Sequence, residues 1–162
     1  MFQEFENHLN QLTDEVIPLI LTTAIDKTLL EMQKNIRSKA PTNTGEYRES
    51  ISVQKAEQKD DIITGKVYSN QKIGGTHPKW MNVALGILLE RGTGPKGKAT
   101  VDPRAAFEGL KYRDGKWCFY WKEKNRWVTT DGMPARHHFL PALLESEELL
   151  EQNIVKEWNS KI

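Results

Sequence analysis

The sequence predicts an α+β fold, on two observations. Helical periodicity marks both ends of the 162-residue chain, and between them lie two stretches of β-branched and aromatic residues folded about polar turns. The order helix, hairpin, irregular segment, hairpin, helix contains no internal repeat and no low-complexity tract. A chain of this length suits a single domain over 1–162.

Phe5, Leu9, Leu12 and Val16, then Ile20, Ala24, Leu29, Met32 and Ile36, recur at helical spacing and build one apolar face. Pro18 removes an amide hydrogen and crowds the preceding turn, which predicts a kink or a new start near Leu19. A long helix then runs from about Leu19 to Ser38, and Pro41 ends it. After a turn at Gly45, Ile51 and Val53, then Ile62, Val67 and Tyr68, flank the polar turn Gln58-Lys59-Asp60-Asp61 as a hairpin. Gly74-Gly75 and His77-Pro78 read as loop, and the apolar run Trp80 to Glu90 fits strand or helix equally. Lys116 to Trp121 and Arg126 to Thr130 form the arms of a second hairpin. The last helix begins after Pro141 and places Leu143, Leu144, Leu149, Leu150, Ile154 and Trp158 on roughly one side.

Hydrophobic residues at 38% and charged residues at 28% describe a chain that folds. The net charge of +1 gives no global pull toward nucleic acid or an anionic membrane, but its distribution is uneven. Arg91 to Arg126 holds ten basic residues against four acidic ones, a local charge of +6. Ala142 onward holds five glutamates against two lysines, −3. Such segments let copies attract one another head to tail, or serve simply as solvated faces. The N-terminus predicts no secretory signal, and Val16 to Ile25 is too short for a membrane span. Cys118, the sole cysteine, excludes an internal disulfide and fits assembly in a reducing cytoplasm.

Candidate chemistry is sparse. Gly92-Thr93-Gly94-Pro95-Lys96-Gly97-Lys98-Ala99 matches a phosphate-binding loop except at Ala99, where a hydroxyl must hold magnesium. Val101-Asp102-Pro103 follows where that motif needs a helix, so the stretch reads as a mobile, basic, glycine-rich loop. His137 and His138 are adjacent and have no neighbouring ligand set, which predicts no metal site. Ser50, Ser69, Ser146 and Cys118 lack a nucleophile context, so neither a catalytic residue nor a cofactor is expected. The hairpin from Lys116 to Trp127 combines Trp with Arg and Lys, the residue types that anchor protein interfaces and that also stack on single-stranded bases. A nucleic-acid-binding module using this hairpin is therefore the alternative to an assembly arm.

Three segments carry a family resemblance. Ile36 to Ile51 contains Ala40-Pro41, Thr44-Gly45, Arg48 and Ser50-Ile51. Ala84 to Gly94 is an apolar run ending in Glu90-Arg91-Gly92-Thr93-Gly94. Gly132 to Leu143 runs through Pro134-Ala135 and Phe139-Leu140-Pro141-Ala142 into the last helix, with His138 where a proline is common. In this order they resemble the neck or tail-completion proteins that join head to tail in tailed bacteriophages. The resemblance implies a long N-terminal helix packed on a small antiparallel sheet, a C-terminal helix, and no catalytic role. The segment 96–131, with its basic stretch and protruding Trp-rich hairpin, is an insertion outside it. It further implies a virion subunit at the head–tail junction, assembled in the host cytoplasm as a cyclic homo-oligomer around the DNA path. The implied neighbours are head-completion or connector proteins and tail-terminator or tail-tube proteins, with non-specific contact to genomic DNA in the lumen. On this reading Trp117, Tyr120, Trp121, Arg126 and Trp127 form the subunit interface. Arg91, Lys96 and Lys98 lie on a loop facing the lumen or a neighbouring ring.

Overall fold

The structure, a computed structural model, describes residues 2–41, 45–72, 85–105, 112–121 and 124–161. Helix α1 (Phe2–Gln11) passes through a π turn (Leu12–Val16) into α2 (Ile17–Lys39). The π turn is the structural answer to Pro18. That residue brings no N–H to the Asp14 carbonyl four residues back, so the chain widens, and the Ile17 amide bonds to the Leu12 carbonyl instead. Two residues before Pro41 the helix stops. Gly45 takes φ 78 ahead of a helical turn, α3 (Glu46–Glu49). Strands β1 (Ile51–Lys59) and β2 (Ile62–Ser69) pair through the tight turn at Asp60-Asp61, with Asp60 at φ 53.

Beyond them come α4 (Leu85–Arg91), α5 (Gly94–Thr100), the hairpin β3 (Trp117–Trp121) and β4 (Arg126–Thr130), and α6 (Phe139–Lys161). The architecture is α+β, as the sequence predicts. The described end of the Trp80–Glu90 run resolves as helix, whereas Gly74-Gly75, His77-Pro78 and Trp80 itself lie outside the described residues.

Two compact units make up the chain. The first comprises Met1–Ser38, Ile51–Tyr68 and Ala142–Ile162. Its core is Ile20, Ala24, Leu29 and Ile36 of α2, Ile51 and Ala56 of β1, and Ala142 of α6. Burying each isoleucine contributes about 1.5–3 kcal/mol. One face of α2 also reaches the β1 backbone: Asp26 Oδ1 accepts the Ala56 amide at 2.7 Å, and Gln33 Nε2 and Arg37 Nη2 each donate to the Ile51 carbonyl at 2.7 Å. Gly65 lets β2 approach α2, since a Cβ there would sit 2.3 Å from Leu29 Cδ1.

The buried face of α6 differs from the one the sequence suggests. Ala142, Ser146 and Glu157 are buried, while Leu143, Leu144 and Trp158 are exposed. Small or partnered residues suit close packing here: Ser146 donates to the Leu143 carbonyl, Glu157 pairs with Lys27, and Asn153 Nδ2 donates to Thr28 Oγ1 at 3.0 Å. The helix also starts at Phe139, with Pro141 inside its first turn, where a missing N–H costs nothing.

The second unit, Lys39–Ser50 and Ser69–Pro141, holds most of the three motif segments and the second hairpin. Here the glycine-rich stretch departs from expectation, because Gly94–Thr100 is helical rather than a loop. Pro95 pre-sets the first turn, and Gly97 packs so closely on the Gly92 backbone that a Cβ would fall 2.6 Å from the Gly92 carbonyl carbon.

Candidate functional site

Glu90, in the last turn of α4, organises the second unit. Its Oε2 accepts the amides of His138 at 2.8 Å and Phe139 at 3.0 Å, and its Oε1 accepts that of Leu140 at 2.9 Å. These amides enter the first turn of α6, where helix donors have no intrahelical acceptor. Glu90 thus caps that helix from another element. Burial alone would raise its carboxyl, but the His138 side chain and the three amides outweigh burial and bring it from 4.5 to about 2.

His138 is fully buried beside it. Its Nδ1 lies 2.8 Å from the Arg136 carbonyl and 3.0 Å from Glu90 Oε2, two acceptors that place a proton on that nitrogen. Neutral Nε2 then accepts the Tyr47 hydroxyl at 2.6 Å. Burial, and then the charge of Glu90, push the Tyr47 phenol up, so it stays protonated and donating. Gly86 makes room, because a Cβ there would fall 2.7 Å from the Tyr47 hydroxyl.

Hydroxyl, imidazole and carboxylate in this order resemble an acid–base relay. Access argues against one. Tyr47 is only 5% exposed, and both Glu90 oxygens are held by amides. A neighbouring cavity of about 330 Å³ is lined by Ser69, Gly86, Ile87, Glu90, Arg91 and Phe139, and receives neither Tyr47 nor His138. What the arrangement does is clasp: Tyr47 belongs to the first motif segment, Glu90 to the second and His138 to the third.

Gly92-Thr93-Gly94 completes the clasp through backbone. Thr93 and Met133 exchange both amide hydrogen bonds, at 2.8 and 3.1 Å, and Thr93 Oγ1 accepts the Met133 amide at 3.0 Å. Gly92 at φ 70 faces the Met133 carbonyl, and Gly132 at φ 111 faces that of Thr93, each too near for a Cβ. The glycines serve strand-to-strand contact, not phosphate. Ser50 Oγ donates to the Tyr47 carbonyl at 2.7 Å and meets Ser69 Oγ at 2.6 Å. Pro41 follows α2, the Phe139 ring lies tilted with its centroid 5.0 Å from that of His138, and Thr44 lies outside the described residues.

The basic residues expected on a loop lie on helices. Arg91 ends α4 half-buried, and its carbonyl accepts the Tyr112 hydroxyl at 3.2 Å. Lys96, on α5, pairs with Asp131 at 2.8 Å at the base of the second hairpin. Lys98 is exposed on the same short helix.

That hairpin has the predicted arms, in the register Trp117↔Thr130, Cys118↔Thr129, Phe119↔Val128, Tyr120↔Trp127 and Trp121↔Arg126. Alternation separates the proposed anchors. Tyr120 and Trp127 share a face with Cys118 and Thr129, and all four are exposed, Trp127 at 73%. Trp117 points the other way, half-buried over Gly94, with the Arg113 guanidinium 5.3 Å from its ring. The side chain of Trp121 lies outside the described residues. On the outward face the rings of Tyr120 and Trp127 meet edge-on at 5.6 Å, and the Tyr120 hydroxyl donates to Asn125, which turns the chain at φ 47.

The clasp escaped sequence reasoning, which dismissed the adjacent histidines. Positions 47, 90 and 138 are too far apart for any local pattern, and the only signal was the departure of His138 from proline.

The sequence comparisons bear on these segments directly. Residues 3–92, more than half of the 162, match the family described as "Bacteriophage HK97-gp10, putative tail-component". The match ends inside the Gly-Thr-Gly segment, so the second hairpin and His138 lie beyond it. No curated protein and no solved structure matches the chain. With the first motif segment and Glu90 inside the matched residues, the chain belongs to the HK97-gp10-like family of phage tail components.

Proposed function

We propose that this protein is a structural subunit at the head–tail junction of a tailed phage, assembling as a closed ring around the DNA path. The observation that carries the reading is the outward face of the second hairpin. Two aromatic rings are held there by hydrogen bond and register, yet Trp127 remains 73% exposed. Solvent-facing Tyr and Trp held against each other are the makings of an interface anchor, because little conformational entropy remains to be lost on docking. The role is one of assembly, not catalysis: in the one group of acid–base residues described above, Tyr47 and His138 are buried and both Glu90 oxygens are held by amides. A ring of identical chains needs heterologous contacts, in which one surface meets a different one on the next copy.

Deleting the gene from a phage genome should leave filled heads and tails that do not join, with infectivity restored by supplying the protein. Normal joined particles without it would sink the reading. The hairpin, whose sequence from Lys116 to Trp127 combines Trp with Lys and Arg, also suits single-stranded nucleic acid. Binding that weakens steeply with salt identifies that second role.

A further inference from the structure

A trough of about 560 Å³ in the first unit is bounded by α2, β2 and α6, and the way each lines it fixes what fits. Ile25 and Leu29 of α2, and Leu143 and Leu150 of α6, repeat at helical spacing, so each helix gives the trough one face. From β2 come four residues in succession, Gly65 to Tyr68. Alternate side chains of a strand point to opposite faces, so a strand shows consecutive residues to one space only along its edge. That side of the trough is the backbone edge of β2.

The edge is polar toward the trough. Opposite residues of an antiparallel pair turn N–H and C=O both toward the partner strand or both away. Ala56 and Gly65 are opposite: they stand equally far from the turn at Asp60-Asp61, and a Cβ on Gly65 would lie 3.4 Å from Ala56 Cα. The Ala56 amide is given to Asp26 of α2, so this pair is turned outward, and Gly65 points its N–H and C=O away from β1. Val67, two residues on, does the same. Among the described residues, neither Gly65 nor Val67 has a backbone partner outside the hairpin.

We propose that this edge receives an extended segment of a partner protein as a third strand, paired through backbone with Gly65 and Val67 and setting aliphatic side chains at alternate positions against α2. Three observations choose that occupant. Outward N–H and C=O groups on every second residue are matched in spacing by extended backbone. The charges lining the trough, Lys66 and Glu147, cancel, so recognition rests on backbone pairing and apolar contact. And α6 bounds the trough opposite the edge, so the guest has a helix on its far side and belongs to no sheet of its own. The last point selects a lone segment, such as a terminus or linker, over β2 of a second copy, which is already paired with β1. A two-stranded sheet is marginal by itself, and a third strand stabilises it. This surface and partner are separate from those of the ring reading, and the inference does not depend on it.

Residue-resolved amide exchange by NMR on the full-length protein tests this, with a capped peptide of alternating valine and threonine as the probe. In the free protein Gly65 and Val67 should exchange faster than Lys66 and Tyr68, whose amides face β1. Millimolar peptide should slow Gly65 and Val67 about tenfold or more. A strand binds by one edge, so N-methylating either the valine or the threonine amides of the peptide should abolish the slowing, and methylating the other set should leave it. Val67→Pro removes an outward N–H where an edge strand tolerates proline, and should lose the peptide with the hairpin intact. Leu143→Trp, filling the trough from α6, should lose it with the edge untouched. Equal effects of the two methylations, or Gly65 and Val67 unmoved by peptide or already as protected as their neighbours in the free protein, overturn the proposal. Protection that rises with the protein's own concentration instead of with peptide overturns it in favour of a second copy.

Discussion

The two units invert the usual division between inside and outside in opposite ways. In the unit containing Glu90, a carboxylate, an imidazole and a phenol are buried together and each polar atom is answered. In the unit containing α2 and α6, Leu30, Ile62 and Val155 are more than half exposed, and Leu143 and Trp158 nearly so. Buried polar networks fix one arrangement of the chain, because a half-satisfied network is worse than none. Exposed aliphatic and aromatic surface does the reverse and leaves free energy for a partner to collect. The comparison teaches that geometric precision in this protein lies in the clasp, whereas exposed apolar surface is spread over the helical faces of one unit and over Trp127 of the other.

Breaking the clasp should have the largest effect. Glu90→Ala strands three helix amides, and its cost is on the order of 3 kcal/mol, the size implied by a carboxyl held at about 2 rather than 4.5. Urea denaturation measures it. Because the folded value lies below the ordinary one, this stabilisation is fully present above pH about 4.5 and disappears as pH falls toward about 2. In Glu90→Gln the stability curve should flatten across that window. A curve that keeps the wild-type slope there means the carboxylate does not carry the clasp.

Gly132→Ala comes next. At φ 111, with the Thr93 carbonyl 1.8 Å from the new carbon, it should cost about 2 kcal/mol. That lowers the melting temperature by about 4–8 °C for a chain of this size. Tyr47→Phe leaves His138 Nε2 buried without its donor and should cost about 1–2 kcal/mol in the same urea titration. Trp127→Ala should change stability by under about 0.5 kcal/mol, its ring being in solvent, while abolishing assembly. If Trp127→Ala unfolds the monomer, or Tyr47→Phe blocks assembly without touching stability, the division of labour between clasp and surface is wrong.

Much of the fold was legible because its signals are local. Pro41 and Gly45 mark a helix end and a left-handed turn by backbone chemistry alone, and the second hairpin's arms announce themselves by β-branched and aromatic content. The first error, α5, came from reading glycines as flexibility. In Gly92 and Gly94 the missing side chains allow close approach to residues as much as some 40 positions later, and in Gly97 to the Gly92 backbone. The second, the α6 face, came from assuming that leucines point inward. The buried line runs instead through Ala142, Ser146 and Glu157, small residues and one carboxylate that Lys27 of α2 pairs, with Asn153 bonded to Thr28 beside it. Hairpin register, knowable only once strand pairing is fixed, splits Trp117 from Trp127.

The capping by Glu90 also has an electrical consequence. A helix presents partial positive charge at its first turn and partial negative charge at its last. In α6 the positive end is neutralised from within by the Glu90 carboxylate, whose low proton affinity keeps it charged through neutral pH. The helix is therefore a rod with a single effective pole, and Glu145, Glu147, Glu148 and Glu151 extend the same sign along its length. An anionic group approaching this stretch is repelled, and a cationic one is attracted.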